Sequence, residues 1–330
     1  MTYGDENWKE SPFKPQSFQR AYRDLLSELM SHGVTEVNER TKTEIKMLQG
    51  AHSFKLDLSD GRLPVVGNRR YYPHVAAAET AWQFMGTKDP KFILGKAPKL
   101  WSKFLEGEEV TEDRGNGPVT FTKKVLKTAY GYRWRHAFGR DQLELAVHEL
   151  KTNPTNRQLF ISAWDPRSDG LGGPQPKNIP CPVGFTVSRF GNDLHMAVFI
   201  RSSDVFVGLP YDVMGYALTA DAIAATTGLR PKSLHFTLAH AHLYKPHWNA
   251  TKACLTGDWS AGEWREAKEF EEFEKFEKAS TIWADNVQPN LPAWDIQAIL
   301  DNPEGYVSIV KALAGRTNQN SWDPMPEVIE

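Results

Sequence analysis

One cysteine stands where it can act as a nucleophile. Cys181 lies between two prolines, at the head of a strand-like run that turns at residues 191–193 and returns over residues 194–200. The pattern predicts a β-hairpin with the thiol at one end and a cationic loop, beginning at Arg201, at the other. Flanking prolines hold a side chain in place, and an adjacent arginine favours the thiolate, which is the reactive form. A buried structural cysteine is the alternative interpretation.

A carboxylate in an apolar helix is the second candidate. The spacing predicts a helix over residues 74–85, in which Glu79 lies among small apolar residues beside Trp82. A buried acid costs free energy unless it is paired or takes part in chemistry, so Glu79 is a candidate proton carrier. The alternative is an acid at the helix edge that faces solvent.

Three histidines alternate along the predicted strand 233–244. By parity, His240 and His242 share one face of the strand and His235 lies on the other. Two histidines on one face can bind zinc, but no acidic or thiolate partner has suitable spacing, so we expect no metal. His242 and Tyr244, which also share a face, are expected to hydrogen-bond a bound ligand.

The composition is that of a globular chain and is compatible with the binding of a small anionic ligand. The 330 residues carry a net charge of -2 and no basic run, which argues against direct binding to nucleic acid. Two cysteines, Cys181 and Cys254, argue against a disulfide scaffold and fit a reducing compartment. Because the sequence has no apolar run of about 18 residues and no signal-like N-terminus, we expect no membrane association. A cytoplasmic location is expected, the host's if the chain is virus-encoded.

The elements that must position these residues mix helices with strands. We predict a surface arm over residues 1–17 and one catalytic domain over residues 18–330. The predicted helices are 17–33, 74–85, 141–151, 214–227 and an added charged helix at 263–278; the predicted strands are 44–48, 53–58, 159–164, 183–187, 194–200, 233–244 and 290–296. Residues 37–41 and 106–118 are predicted as loops, and residues 317–330 as a polar tail.

Several motifs, in one order, resemble those of the thymidylate synthase family. Glu-Thr-Ala-Trp-Gln-Phe-Met-Gly at 79–86 is similar to the family's Glu-Leu-Leu-Trp-Phe-Leu-x-Gly helix, and Tyr-Gly-Tyr-Arg-Trp-Arg at 130–135 to its Tyr-Gly-x-x-Trp-Arg. Pro-Cys at 180–181, Arg-Ser-Ser-Asp-Val-Phe-Val-Gly-Leu-Pro-Tyr-Asp at 201–212 and His-Leu-Tyr-Lys-Pro-His at 242–247 follow. The likeness spans about residues 18–247.

This resemblance implies an α+β fold around a large mixed β-sheet flanked by helices, and a homodimer formed through that sheet. It also implies one-carbon transfer from 5,10-methylenetetrahydrofolate to C5 of a pyrimidine nucleotide. The implied catalytic residues are Cys181, which adds to C6 of the ring, and Glu79 and Tyr130, which handle water and the C5 proton. The implied nucleotide ligands are Arg40, Arg201, Ser202, His242 and Tyr244, with Arg157 reaching across from the partner subunit. The implied folate-side residues are Trp101, Asp204, Gly208, Tyr211, Arg69 and Arg70.

Asp212 is the most informative departure from the family pattern, in which an asparagine reads uracil. Cytosine offers an exocyclic N4 amine as a donor and a bare N3. A carboxylate accepts from N4 and helps to keep N3 protonated, whereas against O4 of uracil it sets acceptor against acceptor. Asp212 therefore predicts a cytidylate substrate, dCMP, as in the related dCMP hydroxymethylases, and we count it among the catalytic residues.

The sequence is compatible with more than one product of the one-carbon transfer. Capture of the methylene group by water gives 5-hydroxymethyl-dCMP and tetrahydrofolate, which is our expectation, whereas hydride transfer gives 5-methyl-dCMP and dihydrofolate. A dUMP enzyme, a CMP hydroxymethylase and a nucleotide binder without catalysis are also compatible with the sequence. Pro182, Ile200 and Gln158 replace a histidine, a glutamine and an arginine of the family pattern, and Gln158 predicts a rearranged phosphate grip.

Overall fold

The chain forms an α+β fold in which a mixed sheet carries helices on one face. The computed structural model describes residues 15–59, 61, 63–66, 72–115, 117–256 and 294–314. The helices in these ranges are α1 (Phe18–His32), α2 (Pro73–Met85), α3 (Lys91–Leu94), α4 (Pro98–Trp101), α5 (Tyr130–Arg135), α6 (Gln142–Thr152), α7 (Leu209–Thr227), α8 (Trp248–Thr256), α9 (Ile296–Asp301) and α10 (Pro303–Ala314). The strands are β1 (Val34–Asn38), β2 (Thr43–Met47), β3 (His52–Asp57), β4 (Glu106–Asp113), β5 (Pro118–Val125), β6 (Phe160–Ser162), β7 (Pro182–Phe190), β8 (Asp193–Ile200), β9 (Ser203–Asp204), β10 (Arg230–Leu238) and β11 (Ala241–Tyr244).

Five strands make the main sheet, in the order β3-β10-β8-β7-β6. β10 and β8 pair in parallel and the other neighbours pair antiparallel. A second sheet has the order β1-β2-β11-β9, and β4 and β5 form a separate hairpin. The mixed sheet and its helices confirm the expected fold class.

Alternation along the strands decides which face of the main sheet is buried. In β10, Leu234, Phe236 and Leu238 point into the core, where they meet α7, while His235 and Thr237 point the other way. The helix α7 is apolar on nearly all sides, as suits a helix enclosed between the sheet and α2. It ends at Gly228, which is in the left-handed conformation.

The other face of the main sheet is exposed in the part of the chain described. Pairing aligns His235 with Lys55 on one side and with Ala197 on the other, and Ser233 with His195. These side chains, with Thr186 and Ser188, line a shallow cavity of about 310 Å³. On the same face, Phe160 pairs with Thr186 of this cavity, and Phe160 and Phe199 are 50% and 42% exposed. An exposed apolar surface of this kind is typical of an interaction face.

The local predictions are confirmed for most elements. α1 begins after Ser17, whose hydroxyl accepts from the amide of Arg20 at 3.3 Å, and ends before Gly33. The hairpin β7–β8 turns at residues 191–192, as its Gly-Asn pair predicts. α7 begins five residues earlier than expected, which puts Asp212 in its first turn.

Four local predictions are wrong. Residues 106–118 form β4 and the start of the β4–β5 hairpin rather than a loop, and residues 37–38 end β1. The predicted strand 233–244 is two strands that belong to different sheets, so the parity argument does not relate His235 to His242. Ile296 begins a helix rather than ending a strand.

Some predictions lie outside the described residues. They concern the helix at 263–278, the tail at 317–330 and most of the arm at 1–17. Within the ranges described, no helix combines the length and apolarity needed to cross a membrane.

Candidate active site

The thiol of Cys181 is held at the entry to β7 by backbone contacts. The amide of Arg201 donates to the carbonyl of Cys181 at 2.9 Å. The Arg201 guanidinium donates through Nε to the carbonyl of Pro180 at 2.8 Å and through Nη2 to that of Ile179 at 3.0 Å. From the other side, the phenol oxygen of Tyr130 is hydrogen-bonded to the backbone of Cys181. Two side chains from distant parts of the chain therefore fix the cysteine loop.

Burial outweighs the arginines in setting the protonation state of this thiol. Burial raises the pKa of Cys181 to about 11, while Arg201 and Arg40 act in the opposite direction and Asp212 adds to the rise. Arg201 favours the thiolate, as expected from the sequence, but burial has the larger effect. In this state about one thiol in ten thousand is ionised at pH 7, so attack by the sulfur requires a base or a change of environment.

Glu79 of α2 lies near Asp212, whose pKa it raises. The space around Cys181, Glu79, Tyr130 and Asp212 is called the cleft. Oε1 of Glu79 accepts from the indole Nε1 of Trp101 at 2.8 Å, and the Trp101 ring packs edge-on against Trp82, with centroids 5.4 Å apart. Burial raises the pKa of Glu79 to about 7, against the hydrogen bond from Trp101, which lowers it. Near neutral pH this carboxyl can therefore both accept and release a proton. It does not lie at a solvent-facing helix edge.

Asp212 completes a set of groups around the thiol. Burial raises the pKa of Asp212 to about 8, and the nearby carboxylates Glu79 and Asp204 act in the same direction. Burial also raises the pKa of Tyr130 well above its usual value, and Cys181 and Asp212 add to that rise. The four residues Glu79, Tyr130, Cys181 and Asp212 each keep partial contact with solvent, as side chains on the floor of a cleft do.

A tight turn before α7 fixes Asp204 and Gly208. Asp204 Oδ1 accepts from the amides of Phe206 and Val207, both at 3.1 Å. Gly208 precedes α7, and its amide donates to the carbonyl of Asp204 at 3.0 Å. A Cβ added at Gly208 would lie 3.3 Å from that carbonyl oxygen, so the turn favours glycine. Asp204 also pairs in register with His242 across β9 and β11.

His242 and Tyr244 line the cleft next to a cationic turn. Their rings meet edge to face with centroids 5.0 Å apart, and Nη2 of Arg40 donates to the hydroxyl of Tyr244 at 3.4 Å. Arg40 itself lies in a turn after β1, where the Asn38 side chain accepts from the amides of Arg40 and Thr41. Burial lowers the pKa of His242, which therefore stays neutral at physiological pH.

The other predicted site residues differ in how exposed they are. Ser202 and Tyr211 are half-buried beside Arg201 and Asp212 in the chain, and Trp101 is 8% exposed. Arg157 is exposed, three residues before β6 at the edge of the uncovered sheet face. Arg69 and Arg70 lie outside the described residues. Among the residues described, no group of three or more His, Cys, Asp or Glu side chains is arranged to hold a metal ion.

A buried ion pair that the sequence did not reveal supports the cysteine loop. Arg133 pairs with Asp169 through both guanidinium Nη atoms, and its Nη1 also donates to the carbonyl of Ala163 at 2.6 Å. Asp169 in turn accepts from the amide of Asp165 at 2.9 Å. The pair ties α5 to the segment between β6 and the cysteine. Arg133 stands at an unspecified position of the Tyr-Gly-x-x-Trp-Arg motif and Asp169 lies outside it, so the motif gave no sign of the pair.

Comparisons with known proteins agree with this geometry. A family model described as "Thymidylate synthase" matches residues 20–278. The chain is 30% identical over 258 residues to a bifunctional dihydrofolate reductase-thymidylate synthase of Leishmania major, covering 72% of this chain and 47% of the relative. A protein of the same name from Leishmania amazonensis is 29% identical over 255 residues, with the same coverage. The chain thus spans about half the length of these curated relatives. The family match covers most of the chain and includes every described residue of the cleft, so the chain belongs to the thymidylate synthase family.

Proposed function

We propose that this chain transfers a one-carbon group from 5,10-methylenetetrahydrofolate to C5 of dCMP, giving 5-hydroxymethyl-dCMP through a covalent adduct of Cys181 at C6. Family membership supports folate-dependent transfer to C5 of a nucleotide. The choice of cytosine rests on one observation, the raised pKa of Asp212, about 8, beside the thiol. A methyl product, 5-methyl-dCMP, is the alternative outcome of the same chemistry.

The protonated carboxyl of Asp212 matches the edge of cytosine. A neutral carboxyl has one O–H donor and one carbonyl acceptor, so it can donate to N3 and accept from the N4 amine. As a carboxylate, Asp212 would repel O4 of uracil. With a pKa of about 8, Asp212 is mostly protonated at pH 7, and in that form it can also pair with uracil. Discrimination between dCMP and dUMP then rests on the transfer of a proton from Asp212 to the ring during the reaction.

Proton transfer to N3 activates the ring. The thiol gives up its proton to water and the sulfur bonds to C6. The electrons of the C5=C6 and C4=N3 bonds shift so that N3 takes the proton of Asp212. The product is an enamine with a C4=C5 double bond, which is nucleophilic at C5. In uracil the electrons move to O4, a weaker base than N3, so the same carboxyl assists less. General acid catalysis of this kind is worth about 10²–10⁴-fold in rate.

Glu79 is the group we assign to the later proton transfers. After the new C5–carbon bond forms, the C5 proton leaves, the bond between that carbon and the nitrogen of tetrahydrofolate breaks, and an exocyclic methylene group remains on the ring. Water then adds to that carbon and loses a proton, and the sulfur leaves C6. A carboxyl with a pKa of about 7 can accept protons in these steps and release them between turnovers. Tyr130 is hydrogen-bonded to the Cys181 backbone and so holds the sulfur in position for C6.

The residues on the far side of the thiol fit a flat, hydrogen-bonding co-substrate. Trp101 offers a nearly buried indole, and the carboxylate of Asp204 is fixed by two amides. An aromatic wall and a fixed acceptor suit the pterin ring of a folate, and we assign Gly208 and Tyr211, with Arg69 and Arg70 at its tail, to the same co-substrate. When bound, it supplies the one-carbon unit at the oxidation level of formaldehyde.

Phosphate binding requires the cationic side of the cleft and a second subunit. Arg201 uses Nε and Nη2 to hold the cysteine loop, and we assign its Nη1, together with Arg40 and Ser202, to the 5′-phosphate. His242 and Tyr244 are assigned to the sugar. We propose a homodimer through the uncovered face of the main sheet, which brings Arg157 of the partner subunit to the phosphate. The exposed Phe160 and Phe199 on that face support this arrangement.

A product assay tests the proposal. The purified protein is incubated with dCMP or dUMP and 5,10-methylenetetrahydrofolate, and products are separated by liquid chromatography and identified by mass. We expect 5-hydroxymethyl-dCMP with no dihydrofolate absorbance, and a lower kcat/KM for dUMP. Formation of 5-methyl-dCMP with dihydrofolate would establish the methyl product. Preference for dUMP, or no product from dCMP while a known family enzyme is active in parallel, would refute the proposal.

A further inference from the structure

A buried hydroxyl without a protein partner lies behind the reacting carboxyl. Tyr216 is 5% exposed, and its hydroxyl has no hydrogen-bond partner in the described part of the chain. Buried hydroxyl groups are almost always satisfied, by protein or by ordered water, because an unpaired one is costly. A bound water, or a change of rotamer in a nearby side chain, would therefore supply the missing partner.

Helix geometry directs this hydroxyl towards Asp212. The two residues are four apart on α7, so they are neighbours on one face of the helix. Long side chains on a helix lean towards its N-terminus, over the residue one turn earlier. The Tyr216 ring is fixed in that position by Phe185 and Trp134, at centroid distances of 5.6 and 6.3 Å. The packing therefore leaves the ring little freedom to turn elsewhere.

The electrostatics agree with this placement. The pKa of Tyr216 is raised first by burial and then by the carboxyl of Asp212, so the two groups are close enough to interact. Tyr216 also raises the pKa of Tyr130. Trp134 Nε1 is a second buried donor without a partner among the described residues, and one ordered water between the two rings would satisfy both donors.

We propose that Tyr216 is a positioning residue for Asp212: its hydroxyl donates a hydrogen bond to the carboxyl, directly or through one buried water, and favours the carboxylate that forms when N3 takes the proton. This inference rests on the proposed function and adds to it a residue that does not touch the nucleotide. The groups that face Asp212 from the surrounding elements are Glu79 of α2, Tyr130 of α5, Cys181 before β7 and Asp204 of β9. The phenol oxygen of Tyr130 accepts from the Cys181 amide and Tyr130 lies on another helix, whereas Tyr216 shares α7 with Asp212 and lies one turn after it.

The test replaces only the hydroxyl, in the variant Tyr216→Phe. We expect kcat for dCMP to fall about 10- to 100-fold, the effect of one hydrogen bond to a charged group, with KM changed less than threefold. Tyr306→Phe is the matched control, because Tyr306 is a similarly buried tyrosine that packs on Trp294 and not on the cleft. Its kcat is expected to stay within twofold of the unmodified protein.

A spectroscopic readout separates positioning from loss of packing. Infrared difference spectra report the C=O stretch of a protonated carboxyl, and the band that disappears in Asp212→Asn belongs to Asp212. Its titration midpoint is expected to rise by about one pH unit in Tyr216→Phe, because the donor that favours the carboxylate is lost. This measurement needs no turnover, so it stands even if dCMP is not the substrate. An unchanged midpoint would overturn the inference.

A double-mutant cycle gives the second check. In the Asp212→Asn background the hydroxyl has no carboxylate to stabilise, so adding Tyr216→Phe should change the remaining rate, with whichever nucleotide is turned over, by less than twofold. An equal loss in both backgrounds would mean that Tyr216 supports the fold and not Asp212, and would reject the proposal.

Discussion

Replacing Asp212 with asparagine tests the central step of the proposed reaction, the transfer of a proton from Asp212 to N3 of cytosine. With a pKa of about 8, about nine-tenths of the Asp212 carboxyls carry a proton at pH 7. An asparagine amide keeps the same donor and acceptor pattern towards the base, but it has no proton to transfer at any pH in this range. We therefore expect dCMP to bind nearly as well and to react far more slowly.

The magnitude follows from what a general acid contributes. We expect kcat for dCMP to fall by about 10²–10⁴-fold, while KM changes less than threefold. For dUMP, the amide keeps the donor to O4 that the protonated carboxyl already supplies, so kcat/KM should change much less and the preference should move towards dUMP. The effect on dCMP is therefore expected mainly in kcat, which distinguishes loss of the acid from loss of binding.

Steady-state kinetics with both nucleotides at pH 7 provide the assay, and the chain offers a matched control. Asp221 lies on the same helix, nine residues and roughly 13 Å further along, and it is exposed. Asp221→Asn makes the same substitution away from the cleft and should leave the turnover of both nucleotides unaffected. If Asp212→Asn turns over dCMP within threefold of the unmodified protein, or keeps its preference, the proton-transfer argument is wrong.

Three further predictions concern the nucleophile, the scaffold and the uncovered sheet face. Cys181→Ala should abolish turnover while dCMP still binds by calorimetry; substantial residual turnover would reject the nucleophilic role. Arg133→Met leaves Asp169 as an unpaired buried charge and should lower the free energy of unfolding in urea by about 3–5 kcal/mol, whereas a loss under 1 kcal/mol would contradict the pairing. Burial, followed by Lys55, lowers the pKa values of His195 and His235, so both resist protonation in the fold. The neutral histidines therefore favour the folded state fully above pH 6.5, which is their pKa in the unfolded chain. This contribution to stability is lost as the pH falls below that value. The double variant His195→Gln, His235→Gln should therefore show a flatter fall in stability between pH 7 and pH 5, measured by thermal unfolding, and an equally steep fall would count against this reasoning.

Local sequence signals predicted most elements because each carries its own physical cause. The serine cap and apolar spacing of α1, the Gly-Asn turn of the β7–β8 hairpin and the apolar run of α7 act within a few residues. The β4–β5 hairpin was missed for a corresponding reason. Most of its side chains are exposed. β4 has a single large apolar residue, Val110, so it lacks the apolar alternation of a half-buried strand, and its acidic residues resemble those of a loop.

The break between β10 and β11 depended on contacts that are distant in sequence. The apolar positions change from even numbers, up to Leu238, to odd numbers at Leu243, but this change of parity does not say which strands each part pairs with. The partners decide it: β10 lies between β3 and β8, whereas β11 lies between β2 and β9 in the other sheet. As a result, His235 faces the uncovered surface and His242 faces the cleft.

The sequence by itself determined the chemical types in the cleft: a thiol, an acid within an apolar helix, and an aspartate in place of an asparagine. These identities are local, and the motifs that carry them keep their order along the chain. Only the tertiary structure decided their protonation states. Burial outweighs the pull of Arg201 and Arg40 on the thiol of Cys181. Glu79, 133 positions before Asp212 in the chain, is brought close enough by α2 to help hold a proton on that carboxyl, because charges interact through space and not along the sequence.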